Sequence, residues 1–541
     1  MSIKSLDHDF SPYTPVEAVP QIVQETRDLF RANQKDLHTD SKRFLQQRLN
    51  KLRDLYYAIN DHEDEIIAAL KSDFNRSPAE TLMMEVGFLK AEILYIIDNL
   101  HKWVRPKSNK DMPLLYKSAS CSTTYAPLGS VLVIAPFNFP LLLSVSPLVG
   151  AIAAGNTVVL KPSELTPHFA DVLINIIDRA FGSGAQALVR VVHGGIPETT
   201  AVLDQKFDKI LYTGNPIVAK IVSRKAAEHL TPVILELGGK SPAIITENNT
   251  VADLKVIARR ICWAKFSNSG QICVTVDYVA IHKSLHKEFV DILTQVLAEE
   301  FFPNLTAEDE TFTHMIHDRG FDRLVKTITS SSGDVVFGGK RFEKESRFIE
   351  PTVIDNVDFN DSTMVEENFG PVLPIIEYDD LPTIVDKIVA SHDEPLASYI
   401  FSQKNADVQY IMANLRSGGT VVNDTVLHVG LYTAPFGGVG GSGHGSYHGY
   451  RSFVAFSHER TTMRHGLWAD ALWGSRYPKN SGNVWQRKLF DATLVWKPWF
   501  GRTGNVSGMS WLYYIFGGLM GLFSTIYYAY KGKTTSKKLR I

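Results

Sequence analysis

Cysteine is scarce in this chain, with three in 541 residues. Three thiols cannot all pair, and so few in so long a chain exclude a disulfide framework and point to a reducing compartment. Neither sign of charge is in excess. The 56 Lys and Arg stand against 58 Asp and Glu, a net of -2, which argues against a nucleic-acid surface. The N-terminal stretch MSIKSLDHDFSPYTP lacks an apolar core and carries acids early, so it is neither a secretory signal nor a transit peptide. No internal repeat is evident and no metal site is expected. The part of the chain that alternates strand and helix also lacks a G-x-G-x-x-G fingerprint. Gly438, Gly440 and Gly443 match that string, but no strand-turn-helix unit surrounds them, and they read as a tight glycine turn near the cleft.

What is present is a globular composition, 44% hydrophobic and 21% charged, in a chain long enough for two or more domains. From about Val16 to Val104 the apolar residues recur at helical spacing, as in Leu45, Leu49, Leu52 and Leu55. Ser77, Pro78 and Glu80 predict a capped helix start. From Ala126 to Leu235, short apolar strands (131–136, 157–162, 188–194, 209–214 and 232–237) alternate with helical runs such as 142–154 and 216–229. That pattern predicts an α/β fold with a parallel sheet covered on both faces, its ligands bound at the C-terminal strand ends. Asn138, Lys161, Gly214 and Glu236 all fall at such ends. A second α/β series runs from Ser241 to about Asp424.

The stretch from Glu236 to Cys273 begins ELGGKSP and ends in FSNSGQIC, so a carboxylate and a thiol lie at the ends of Gly-rich turns, where exposed catalytic groups are displayed. A thiol is nucleophilic only as thiolate. Glu236 is a candidate to accept its proton, or to act later as the base that activates water. Cys121, in a polar strand-like run, and Cys262, in an apolar helical run, read as packing residues.

The strings PFNFP (136–140), KPSE (161–164), ELGGKSP (236–242), GQIC (270–273), ENFGPVLP (367–374) and PFGGVGGSGHGSYHGYRSF (435–453) occur in this order. Together they resemble the aldehyde dehydrogenase superfamily, in its class 3 branch with the fatty aldehyde dehydrogenases, over roughly residues 20–460. The resemblance implies a Rossmann-type NAD-binding domain with the N-terminal helices (1–236), a catalytic domain (237–426), and oligomerisation elements at about 116–127 and 427–460 that join a homodimer. It implies Cys273 as nucleophile, Asn138 and the Cys273 backbone N–H as oxyanion donors, and Glu236 as the deacylating base. NAD would be held by Lys161 and Glu164 at the adenosine ribose, Gly214 and Asn215 at the pyrophosphate, and Glu367 with Phe369 at the nicotinamide ribose. Ala219, Thr275 and Val276 depart from the pattern without removing a catalytic group.

After the enzyme comes a tail. Gly504 to Tyr530 contains no charged residue, and Trp511 to Tyr530 is 20 residues long with aromatics at both ends. At about 1.5 Å per residue this could span a bilayer. It predicts a transmembrane helix at 509–530, preceded by an interfacial segment at 461–503 and followed by a basic tail at 531–541. A span so close to the C-terminus inserts as a tail anchor, leaving the catalytic domain in the cytosol. The short span and basic tail favour the mitochondrial outer membrane, with endoplasmic reticulum and lipid droplet as alternatives. The expected substrate is a medium- to long-chain aliphatic aldehyde reached from the bilayer. A catalytically silent scaffold, an acylating dehydrogenase and a thiol esterase are the competing readings.

Overall fold

The computed structural model describes residues 10–468 and a few isolated positions after them. It divides into two compact units: Met1–Trp103 with Pro127–Ser457, and Val104–Ala126 with His458–Ile541.

In the larger unit, helices Val19–Thr39, Ser41–Asp61, Glu63–Phe74 and Phe88–Trp103 come first. The second buries Leu52 and Leu55 as its spacing predicts, but Leu45 and Leu49 are only half-buried, and Phe44 and Arg48 are buried in their place. Arg48 is buried because it donates to the Ala153 carbonyl at the C-terminal end of another helix, where orphan acceptors need a partner. Ser77 caps the short helix Pro78–Thr81 by accepting from the Glu80 amide. The reciprocal half of the capping box is absent, because the Glu80 carboxylate accepts instead from the Asn268 amide and the Thr313 hydroxyl.

Strands Ser130–Ile134, Thr157–Lys161, Val189–Val191, Lys209–Thr213 and Val233–Glu236 form a parallel sheet. They are largely buried, which is why they read as continuous apolar runs. Across the sheet the order is 189–191, 157–161, 130–134, 209–213, 233–236, with Gly443–His444 antiparallel on the outer edge. The order reverses between the first and fourth strands, the switch point at which such sheets bind ligands. The apparent G-x-G-x-x-G is therefore a turn running into an edge strand. A side chain at Gly443 would meet the Leu235 carbonyl at 1.9 Å, so only glycine lets this strand pair with the one ending at Glu236. Helix Pro140–Ala154 is buried at every position, as a helix apolar all round must be.

A second sheet of seven strands runs in the order 334–337, 352–355, 372–378, 278–282, 242–245, 397–401, 419–422. Only the first of these, Asp334–Phe337, pairs antiparallel. In the smaller unit, Lys107–Ser108, Ala119–Pro127 and Ser457–His465 make a three-stranded sheet. Cys121 is half-buried there, and Cys262 is buried in helix Val251–Phe266. The sequence-predicted membrane helix 509–530, the tail 531–541 and most of 461–503 lie outside the described residues. Among the described residues no helix is long and apolar enough to cross a membrane.

Candidate active site

Cys273 sits on a turn made by three successive residues with left-handed backbone, Asn268 (φ 49), Ser269 (φ 52) and Gly270 (φ 70). For the two that are not glycine this costs about 1–2 kcal/mol each, so the neighbours must hold them. The Asn268 amide donates to Glu80, and its side-chain amide donates to the carbonyls of Asn138 and Gln271, both at 3.0 Å. The Gln271 side chain donates to the Asn268 and His314 carbonyls and accepts from the Ile316 amide. A Cβ at Gly270 would lie 2.2 Å from the Gly370 carbonyl oxygen, so the close backbone approach explains the glycine. Beyond Cys273, the Tyr399 hydroxyl donates to the Val274 carbonyl. Thr275, which departs from the family pattern, donates to the Ala264 carbonyl at 2.7 Å.

Asn138 lies in the connection from the first strand to helix Pro140–Ala154. One of its two amide N–H groups donates to the Gln271 carbonyl at 3.0 Å, which leaves the other as a donor. Its own carbonyl is fixed by Asn268 and by Arg76. Sequence reasoning missed Arg76. It is fully buried, lies over the rings of Phe74 and Phe139 at 4.4 and 4.9 Å, and pairs with Glu85. Glu85 in turn accepts from the Leu141 and Leu142 amides at 2.7 and 3.0 Å, capping the N-terminus of the helix that follows Asn138.

Glu236 ends its strand 2% exposed, and neither carboxyl oxygen has a hydrogen-bond partner among the described residues. Burial pushes its carboxyl well above the usual range. Glu367 is half-buried. A Cβ on Gly238 would overlap its carboxylate at 2.2 Å, the Gly239 amide donates to it, and its Oε1 is unpartnered. Burial, then Asp277, raise Glu367 to about 8. The Cys273 thiol accepts from its own amide and that of Val274, but burial and the two carboxylates, Glu367 ahead of Glu236, push it up to about 12. The site therefore gathers a thiol and two acids, and among the described residues no cation forms an ion pair with Glu236 or Glu367. The nearest cations stand behind Glu367. Lys240 is bonded to Asp277 and to the Thr363 and Glu366 carbonyls. Lys265 is fully buried, has no hydrogen-bond partner among the described residues, lies 3.8 Å from Asp277 and is lowered to about 8 by burial. Sequence reasoning missed both lysines.

The remaining candidates form a second group at neighbouring strand ends. Lys161 is buried, donates to the Pro162 carbonyl at 2.7 Å and lies 3.5 Å from the half-exposed Glu164. Asn215 caps helix Pro216–Glu228, accepting from the Val218 amide, and Gly214 lets the chain pass 2.3 Å from the Tyr212 hydroxyl as measured at a Cβ. The free amides of that helix start suit an anion. Phe369 (φ 45) stands edge-on to Phe137 at 5.9 Å.

A sequence model of the aldehyde dehydrogenase family matches residues 14–462. Fatty aldehyde dehydrogenase HFD1 of Saccharomyces cerevisiae is 44% identical over 524 residues, covering 95% of this chain and 97% of that protein. Aldehyde dehydrogenase family 3 member A2 of Mus musculus is 38% identical over 437 residues, covering 81% and 88%. Among solved structures, the substrate-bound state of Staphylococcus aureus AldH superposes with a TM-score of 0.81 at 34% identity, covering 88% of this chain and 99% of that one.

Proposed function

The chain belongs to the aldehyde dehydrogenase family, and from that membership and the Cys273 geometry we propose that it oxidises medium- to long-chain aliphatic aldehydes to carboxylic acids with NAD at a membrane surface. The observation that supports this most is the Cys273 turn itself. A thiol held under two backbone amides, beside an Asn138 amide with a free N–H and an unpartnered Glu236, is the equipment for making and then hydrolysing an acyl thioester.

Cys273 as thiolate attacks the carbonyl carbon, and the oxyanion takes hydrogen bonds from the Asn138 side chain and the Cys273 backbone N–H. NAD, when bound, supplies the hydride acceptor and a positive ring charge that this anionic site lacks. Loss of hydride leaves a thioester on Sγ. Glu236 takes a proton from the attacking water, the acid departs and the thiol is restored. The unpartnered acceptor of Glu367 and the helix start at Asn215 fit the nucleotide. Glu367 would bind the nicotinamide ribose with Phe369 beside it, Gly214 and Asn215 the pyrophosphate, and Lys161 with Glu164 the adenosine ribose. A carboxylate at Glu164 repels a 2′-phosphate, which favours NAD over NADP.

The uncharged run 504–530 followed by a tail with five basic residues supports a transmembrane helix at 509–530. We read it as the anchor of a cytosolic homodimer, with the mitochondrial outer membrane favoured over endoplasmic reticulum or lipid droplet. The expected result for Glu236→Gln is a burst of nucleotide reduction, one per site, followed by turnover slowed at least about 100-fold. An unchanged steady rate would remove Glu236 as the deacylating base.

A further inference from the structure

Glu92 is a buried carboxyl that the chemistry above does not use. It lies on helix Phe88–Trp103, 2% exposed. Its Oε2 accepts from the Ser146 hydroxyl at 2.6 Å and its Oε1 from the Gly449 amide at 2.7 Å. No cation pairs with it among the described residues, and burial raises it to about 7. Both of its partners belong to elements that carry the site. Ser146 is on the helix that begins just after Asn138. Gly449 follows the Gly443–His444 strand, which pairs with Leu235 and Glu236.

Between that strand and Gly449 lies Tyr447, which is 1% exposed and exchanges backbone hydrogen bonds with Phe436. Burial raises its hydroxyl, and the charges of Glu236, Glu92 and Cys273 add to that. The conformation at Gly449 (φ 48) admits no side chain, since a Cβ would lie 2.3 Å from the Tyr432 carbonyl. The amide that Glu92 holds is therefore a fixed point of this segment. A second tie runs alongside it: the His448 amide donates to Ser452 at 2.8 Å, and Ser452 packs against Gly150 of the same helix as Ser146.

We propose that Glu92 is a positioning residue for the hydrolytic half of the reaction: by joining Ser146 to Gly449 it holds the segment that begins at Gly443 against the strand ending at Glu236, so that water attacks the thioester from the side of the base. This rests on the function proposed above. Hydride transfer depends on Asn138 and the Cys273 amide, which Arg76, Glu85 and Asn268 hold independently of Gly449, so losing the tie slows deacylation more than it slows reduction of the nucleotide.

The test is pre-steady-state nucleotide reduction by the full chain with a short aldehyde, for wild type, Glu92→Gln, Glu92→Asp and Glu92→Ala. The amide of Glu92→Gln can still accept from Gly449 and donate to Ser146, so that variant matches wild type. Glu92→Ala shows a burst near one per site and a steady rate about 10-fold lower, with a KM within twofold of wild type, the scale expected of a small misplacement at a reacting centre. If Glu92→Ala does not fold, Glu92→Asp, too short to hold both partners, shows the same burst. A burst and steady rate that fall together in the Ala or Asp variant overturn the proposal. So does a loss in Glu92→Gln equal to that in Glu92→Ala. No nucleotide reduction by wild type would instead mean that the proposed function has failed.

Discussion

Two carboxyls, the buried Glu236 and the half-buried Glu367, act on one thiol. Where they ionise, their charges oppose the thiolate that the chemistry requires. Two effects of opposite sign are expected for Glu367→Gln. Above pH 8, where Glu367 ionises, alkylation of Cys273 in the absence of nucleotide speeds up several-fold, while NAD binding weakens by about 10-fold. Titration calorimetry and iodoacetamide kinetics check the two, and a loss in both would show that the residue only maintains structure. In wild type, alkylation without nucleotide rises about tenfold per pH unit between 7 and 10, because the thiol titrates near 12. Glu92 shows itself in stability. A carboxyl that titrates near 7 folded and near 4.5 unfolded binds its proton more tightly in the native state. Its stabilisation is therefore complete below about pH 4.5 and is lost as pH rises towards 7, by about 3 kcal/mol. Urea unfolding of Glu92→Gln lacks that decline, and a decline equal to wild type would place the titration elsewhere.

The element that decides the site is the turn from Ser267 to Cys273, which is rigid because distant parts of the chain hold it. The loop that carries Cys273 was legible in the sequence as a Gly-containing stretch between a helical run and an alternating run. The strand ends carrying Asn138, Lys161, Gly214 and Glu236 were legible from short apolar runs separated by helical ones. The supports were not. Arg76 bonds to Asn268 across 192 residues and to Asn138 across 62, and Glu80, read as half of a capping box, is engaged by Asn268. Local pattern carries no trace of such pairings, nor does it show that Lys240 and Lys265 converge on Asp277. Because Arg76 and Glu85 are a buried pair, Arg76→Met strands an anion and destabilises by about 3–5 kcal/mol. Adding Glu85→Leu to it recovers part of the stability without recovering activity. Stability fully restored together with turnover would show that the pair serves packing alone.

At the scale of the whole molecule, the strand Val233–Glu236 of one sheet is followed directly by Pro242–Ile245 of the other, so Glu236 stands at the crossing from one sheet to the next, and Cys273 lies in the turn before the second sheet's strand Tyr278–His282. The family match spans residues 14–462, and the proposed anchor lies beyond it. Removing the chain from Ser507 onward is expected to yield a protein that no longer sediments with membranes but turns over a short aldehyde at the wild-type rate. Loss of that turnover would give the tail a role beyond anchoring.

The central claim is that the protein oxidises long aliphatic aldehydes through covalent attachment to Cys273, with NAD as the oxidant. Nucleotide reduction measured with hexadecanal, for the intact protein beside Cys273→Ala, tests it most directly. The account predicts steady formation of NADH by the intact protein and none above background by the variant. NADH formation that persists in Cys273→Ala, or none from the intact protein while it demonstrably binds NAD, would contradict it.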